Sequence, residues 1–242
     1  MCGRYQLTAH ERWLSDYFNL DPADIDWVAR WNVAPTQEVA TIRQDRREPK
    51  RMFALMRWGL IPSWAKNKGA SMGARAINAV SETAAEKPAF RDAMKLRRCL
   101  IPATGFYEWK RTGPKSRQAY HIGMKDDGLF AFAGLWENWK DPQGKIVKTC
   151  TILTTQANAV LADIHHRMPV ILRPEDYDLW LDPGITNPAH VADLLKPCDA
   201  RLLRKYPVSD FVNRADNEGP ECAKETKEEE TVSPSPVQQK LW

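Results

Sequence analysis

The chain has 242 residues, enough for one large domain or two small ones at the ~150 residues of a typical domain. Its 43% hydrophobic and 27% charged residues are ordinary for a globular protein and exclude a wholly disordered or fibrous chain. A net charge of +4, no apolar run near the ~18 residues that cross a bilayer, no secretory leader, and five cysteines without a Cys-x-x-Cys pair predict a cytoplasmic protein lacking a disulfide scaffold and a zinc site.

In chain order, Thr8-Ala-His-Glu11 has the form of a capping box, and Trp13, Leu14, Tyr17 and Phe18 share one face at helical spacing. An extended, proline-broken segment at 31–35 follows, then strands at 38–44 and 51–58. Trp58-Gly-Leu-Ile-Pro-Ser-Trp64 leads into a loop at 66–73, and a second capping box, Thr83-Ala-Ala-Glu86, starts a helix near 84–95. The middle is rich in strands, at 99–102, 106–110, 119–124, 129–136 and 145–155, divided by Gly- and Asp-containing turns. A helix at 156–164, a strand at 167–173, helices near 174–181 and 187–195 and a strand near 201–208 complete the pattern. Together these predict a single α+β domain over residues 2–218, with a curled, mainly antiparallel, barrel-like sheet and peripheral helices. Glu, Lys, Ser, Pro and Gln dominate residues 219–242, the composition of a disordered tail.

Four places could carry chemistry. Cys2 follows an initiator Met, and a small second residue is the usual condition for removing that Met. A chain beginning at Cys2 would bear an α-amine of reference pKa ~7.7–8.0 beside a thiol. Such a 1,2-aminothiol condenses with an aldehyde to an imine and closes through sulfur to a thiazolidine; it could instead attack an amide, or be an inert second residue. Glu108 interrupts the aromatic strand sequence Gly105-Phe-Tyr-Glu-Trp109, where a carboxylate is either solvated or held in a pocket and poised for proton transfer. His165 and His166 are adjacent, so in an extended segment their side chains point opposite ways and one at most serves a given site. Asn78 could donate to an oxyanion or orient an amine without titrating. Ten tryptophans and a basic excess of +6 over residues 1–220 suit a binder of single-stranded nucleic acid, on which bases stack and cations follow phosphates.

Six segments resemble one family in its own order: Met-Cys-Gly-Arg-Tyr at the start, Asn-Val-Ala-Pro-Thr at 32–36, Met-Arg-Trp-Gly-Leu-Ile-Pro-Ser-Trp-Ala-Lys at 56–66, Asn-Ala-x-Ser-Glu-Thr at 78–83, Arg-Arg-Cys-Leu-Ile-Pro-Ala-x-Gly-Phe-Tyr-Glu-Trp at 97–109 and His-x-Arg-Met-Pro-Val-Ile-Leu at 165–172. The chain is similar here to the SOS-response-associated peptidase (SRAP) family. The resemblance implies a sensor and shield of abasic sites in single-stranded DNA that crosslinks the open deoxyribose aldehyde to the amino-terminal Cys. Carried over by motif, Cys2 is the nucleophile, Asn78 positions its amine, Glu108 moves protons and His165 assists sugar ring opening and reversal. DNA contacts are implied for Arg4, Trp58, Trp64, Trp109 and Thr154. The family's Asn-Ala-Arg-Ser-Glu-Thr has Val80 in place of its Arg here, so weaker and more salt-sensitive docking is expected, with Arg75, Lys66 or Lys68 as candidate substitutes. Abasic single-stranded DNA is the expected partner of a monomer near the nucleoid, with no cofactor, metal or membrane. A peptidase or amidohydrolase using Cys2, including self-removal of Met1, and a non-covalent reader of single-stranded or modified DNA are the alternatives.

Overall fold

A computed structural model describes residues 2–45, 50–66 and 69–227. Its first half runs β1 (Tyr5–Leu7), α1 (Glu11–Phe18), β2 (Arg30–Val33), β3 (Glu38–Gln44), β4 (Arg51–Trp58), α2 (Gly69–Arg75), β5 (Asn78–Val80), α3 (Ser81–Ala84), α4 (Arg91–Leu96) and β6 (Arg98–Ala103). The second half adds β7 (Gly105–Arg111), β8 (Arg117–Met124), β9 (Phe130–Lys140), β10 (Ile146–Gln156), β11 (Arg167–Pro169), β12 (Ile171–Leu172), α5 (Tyr177–Leu181) and β13 (Leu203–Val208).

The long β9–β10 hairpin organises the larger sheet. At its turn, Asp141 Oδ1 accepts from the Gln143 and Lys145 amides at 3.0 and 2.8 Å, and Gly144 supplies a φ of +86°. From the hairpin, β10 pairs with β4, β4 with β3, β3 with β6 and β6 with β9, closing a five-stranded barrel. Closure is through the parallel pair β4–β10, with Cys150 opposite Trp58, so the barrel is mixed rather than wholly antiparallel. All six residues of β6 are buried, as a strand covered on both faces requires. Arg98 is tolerated among them because its guanidinium donates to the carbonyls of Met94, Trp180 and Asp182, tying α4 and α5 to the barrel.

The second sheet is antiparallel, in the order β13-β8-β7-β1-β2. It rests on the barrel through Tyr5, whose ring meets Trp58 at 5.5 Å and Phe132 at 5.8 Å, edge to face. All three side chains are buried, each removal from water being worth roughly 1.5–3 kcal/mol.

Several expectations are corrected. Thr8 does not cap α1: its amide and hydroxyl bond Thr104 Oγ1, and His10 Nδ1 accepts from the Trp13 amide instead. Residues 69–75 of the expected loop are helical, while residues 67 and 68 lie outside the described part. The helix expected near 84–95 is two short helices, because Pro88 lacks the amide that would continue the first. At 156–164 there are turns, since Asn158 Oδ1 accepts from the Val160 and Leu161 amides and competes with helical bonding. The folded part also passes the expected boundary at 218. Residues Pro220–Ala223 form a 3₁₀ turn, Cys222 is buried with Tyr107, Val208 and Val212, and Glu225 bridges Val208. Of the expected tail, residues 228–242 lie outside the described part.

His121 sits in the second sheet opposite Tyr107 and Tyr206, its ring 5.4 and 4.9 Å from theirs. Room for it exists because position 105 is glycine: a Cβ there would lie 2.1 Å from His121 Nε2. Neither ring nitrogen has a hydrogen-bond partner among the described residues. Burial, with a smaller contribution from Arg204, therefore brings its pKa down from 6.5 to about 4. The unfolded chain takes up a proton at His121 that the folded chain refuses, so stability is full above pH 6.5 and falls as the pH drops towards 4. The loss across that window is about 3 kcal/mol at most. Urea unfolding at pH 7 and pH 4.5 should show a markedly smaller acid loss for His121→Leu than for the natural chain; equal losses would count against this origin.

Candidate active site

Pairing of β1 with β7 delivers the start of the chain to its site. Tyr5 lies opposite Phe106, and the Tyr107 amide donates to the Arg4 carbonyl at 2.9 Å. Cys2 is buried, its thiol weakly bonded to the Arg4 carbonyl, and its own carbonyl accepts from Asn78 Nδ2 at 2.7 Å. Asn78 opens β5, which runs parallel to β10 with Asn78 opposite Ile152. The preceding residue is fixed too, since Trp58 Nε1 donates to the Ile77 carbonyl at 2.8 Å. Asn78 Oδ1 is buried and has no partner among the described residues, an acceptor left over beside Cys2.

Glu108, next along β7, is only 4% exposed, so the pocketed alternative holds rather than the solvated one. Burial raises its carboxyl above the usual range. The Cys2 thiol is also pushed up, chiefly by burial and then by the Glu108 carboxylate. His165 moves the other way, burial lowering it first and the chain's amino-terminal charge second. That same charge opposes burial at Cys2 and Glu108, so the three side chains share one electrostatic environment.

His165 is held by Arg167, whose amide donates to Nδ1 at 2.9 Å. The Arg167 guanidinium forms a two-point pair with Glu82, both contacts at 2.7 Å, and donates to the Thr154 carbonyl. Thr154 lies opposite Val80 in the β5–β10 pair. Arg167 and Glu82 went unassigned in the sequence, although both stand inside quoted motifs, the third residue of His-x-Arg-Met-Pro and the fifth of Asn-Ala-x-Ser-Glu-Thr. Two side chains expected to touch DNA are interior. Trp58 is fully buried and supports Asn78, and the Thr154 hydroxyl is buried against the Ala79 carbonyl. Arg4 is half-buried, donating to Asn32 Oδ1 at 2.8 Å and the Val212 carbonyl at 2.7 Å, and lies over Trp109 at 5.9 Å. Trp109 Nε1 in turn donates to Asn213 Oδ1 at 2.7 Å, making one block with the turn Asp210–Asn213. Trp64, at 54% exposure, and Arg75, at the end of α2, are open to solvent.

The histidine pair departs from expectation. His165 and His166 lie at a bend, not in a strand, and their rings stack on the same side, 4.5 Å apart and 20° from parallel. Among the described residues no cluster of three or more His, Cys, Asp or Glu could hold a metal, and no helix is long and apolar enough to cross a membrane.

The chain is similar to known proteins. Residues 1–215 match the model of a family described as SOS response associated peptidase (SRAP). The abasic site processing protein YoqW of Bacillus subtilis is 44% identical over 223 residues, 91% of this chain and 98% of its own length. YobE from the same organism, likewise called an abasic site processing protein, is 42% identical over 88% of this chain and 96% of its own. The chicken abasic site processing protein HMCES is 33% identical over 75% of this chain and 60% of its own. A crystal structure of a protein from Bacteroides thetaiotaomicron superposes with a TM-score of 0.82 at 26% identity, covering 93% of this chain and all of that one. The chain belongs to the SOS response associated peptidase (SRAP) family.

Proposed function

We propose that this protein processes abasic sites in single-stranded DNA by forming a covalent thiazolidine through Cys2, once Met1 has been removed. The observation that carries the proposal is the meeting of a buried Cys2 with an Asn78 amide on its carbonyl and a buried Glu108 whose carboxyl is raised above its usual range. The α-amine of Cys2 attacks C1′ of the ring-opened sugar, the carbinolamine loses water to leave an imine, and the thiol adds to the imine carbon. The imine keeps the amine's remaining hydrogen on its nitrogen, and the C–S bond forms as the thiol gives its proton back to the Glu108 carboxylate. Glu108 supplies the proton that departs with water and receives one from the thiol, tasks that favour a carboxyl group titrating above its usual range. Net change is protein plus DNA minus one water. Asn78 Oδ1 is the acceptor available to orient the amine.

Docking would use the exposed Trp64 as a surface on which bases stack, with Arg75 and Lys66 near phosphates. Arg167 is bonded to the Thr154 carbonyl, opposite Val80 where the family's Arg is missing. The expectation of more salt-sensitive docking is corrected by counterion release. One phosphate contact fewer weakens binding but flattens its salt dependence, by a slope of about 0.7 for a single strand.

Intact mass after incubation with an oligonucleotide carrying one abasic site tests the proposal. Expected are loss of Met1 and an adduct of protein plus DNA minus water that vanishes in Cys2→Ala; turnover of a peptide without an adduct would favour the hydrolase alternative instead. Glu108→Gln should slow crosslinking about 10²-fold or more while single-strand affinity is unchanged, checked by quenched gel assays and fluorescence anisotropy. Val80→Arg should tighten binding and steepen its salt slope, which a titration of affinity against salt concentration measures directly.

A further inference from the structure

The middle residue of His-x-Arg-Met-Pro is, in this chain, a second imidazole. The bend that carries it is pinned by three bonds: the His165 amide donates to the Leu161 carbonyl at 2.9 Å, the His166 carbonyl accepts from the Ala157 amide at 3.0 Å, and the Arg167 amide donates to His165 Nδ1 at 2.9 Å. Those bonds set both side chains on one side of the backbone, which is why the rings stack 4.5 Å apart instead of diverging. An Nδ1 that accepts from an amide carries no proton, so the ring held here is neutral with hydrogen on Nε2. Protonation of Nδ1 would set hydrogen against hydrogen and require it to turn to the Arg167 carbonyl, 3.2 Å away.

We infer that His166 is a positioning residue for the reaction centre, its stacked ring holding His165 as a neutral, Nε2-protonated imidazole that donates a hydrogen bond to the sugar without surrendering its proton. This rests on the abasic-site reading given above for the identity of the ligand, though not for the state of the ring. Stacking covers one face of His165 and so contributes to the burial that is the largest cause of its lowered pKa, and the His166 charge repels a second charge after the amino-terminal one. Arg167 lies on the same segment, Glu82 from α3 is paired with that Arg, and Asp163 from the preceding turn is paired with Lys110 and Lys205. Of these the carboxylates at 82 and 163 are already held by cations, and the His166 ring is the group stacked directly on His165.

The test is titration of the His165 ring signals by NMR in the full chain, beside the pH profile of crosslinking to an abasic oligonucleotide. His166→Ala should move the His165 midpoint up by about half a unit to one unit, and His166→Asp, which puts a negative charge in place of the ring, should move it further. The acid limb of the crosslinking profile should move by the same amounts, with rates above pH 7.5 within about twofold of the natural chain. An unchanged His165 midpoint in both variants would overturn the inference. A shifted midpoint with an unshifted activity limb would also overturn it, because His166 would then tune His165 without consequence for the reaction. Failure of the natural chain to form any adduct would instead defeat the crosslinking proposal, while the titration would still decide the state of the ring.

Discussion

A three-residue strand holds the site together. Residues Tyr5–Leu7 lie between β2 and β7, and what they fix is the position of the residues before them. Tyr5 makes the strand immovable by driving its ring among Trp58 and Phe132. With that anchor set, Arg4 has its carbonyl on the Tyr107 amide and Cys2 has its carbonyl on Asn78. Trp58 acts twice, packing against the anchor and bonding the residue before Asn78, so one indole aligns the amino-terminal segment with the amide that meets it. The same indole stands at the parallel seam that closes the barrel, opposite Cys150.

The second constraint is electrostatic. Glu108 and Cys2 are both removed from water, and both are pushed towards their neutral forms. A neutral thiol and a protonated carboxyl are the forms that a stepwise condensation asks for, since proton transfers rather than a standing thiolate drive imine formation and closure. His165 reaches neutrality by the opposite shift, and its ring is directed by the Arg167 amide.

Much of the fold was legible in the sequence, and the reasons differ by element. The β-branched residues of β3 and the period-two face of Met52, Ala54, Met56 and Trp58 in β4 marked both strands to the residue, and Gly- and Asp-containing turns separated β7 through β10. Local side-chain bonding defeated the helix expected at 156–164, and Pro88 divided another, because capping and propensity patterns do not show which backbone amides a neighbouring Asn will occupy. At the site, Cys2, Asn78, Glu108 and His165 were recognisable as chemistry-bearing residue types inside motifs. Trp58 and Thr154, offered as DNA contacts through the family resemblance, are buried, and motif matching does not say which face a closed barrel covers. The stacking of His165 on His166 was hidden for a related reason: period-two reasoning holds for strands, and these residues sit at a bend.

The clasp around Asn32 has a consequence for how the molecule comes into being. Asn32 Nδ2 donates to the carbonyls of Arg214 and Asn217 at 2.8 Å, and Glu218 binds both the Arg30 side chain and the Trp31 amide. The strand beside β1 is therefore completed by residues near the far end of the fold. On a ribosome adding ~5–20 residues per second, those residues arrive ~10–40 s after the first ones emerge. Until then Cys2 belongs to an unfinished peptide, open to whatever enzyme trims nascent chains, and its burial beside Glu108 comes only afterwards. The proposed removal of Met1 is thereby separated in time from assembly of the pocket by the order of synthesis itself.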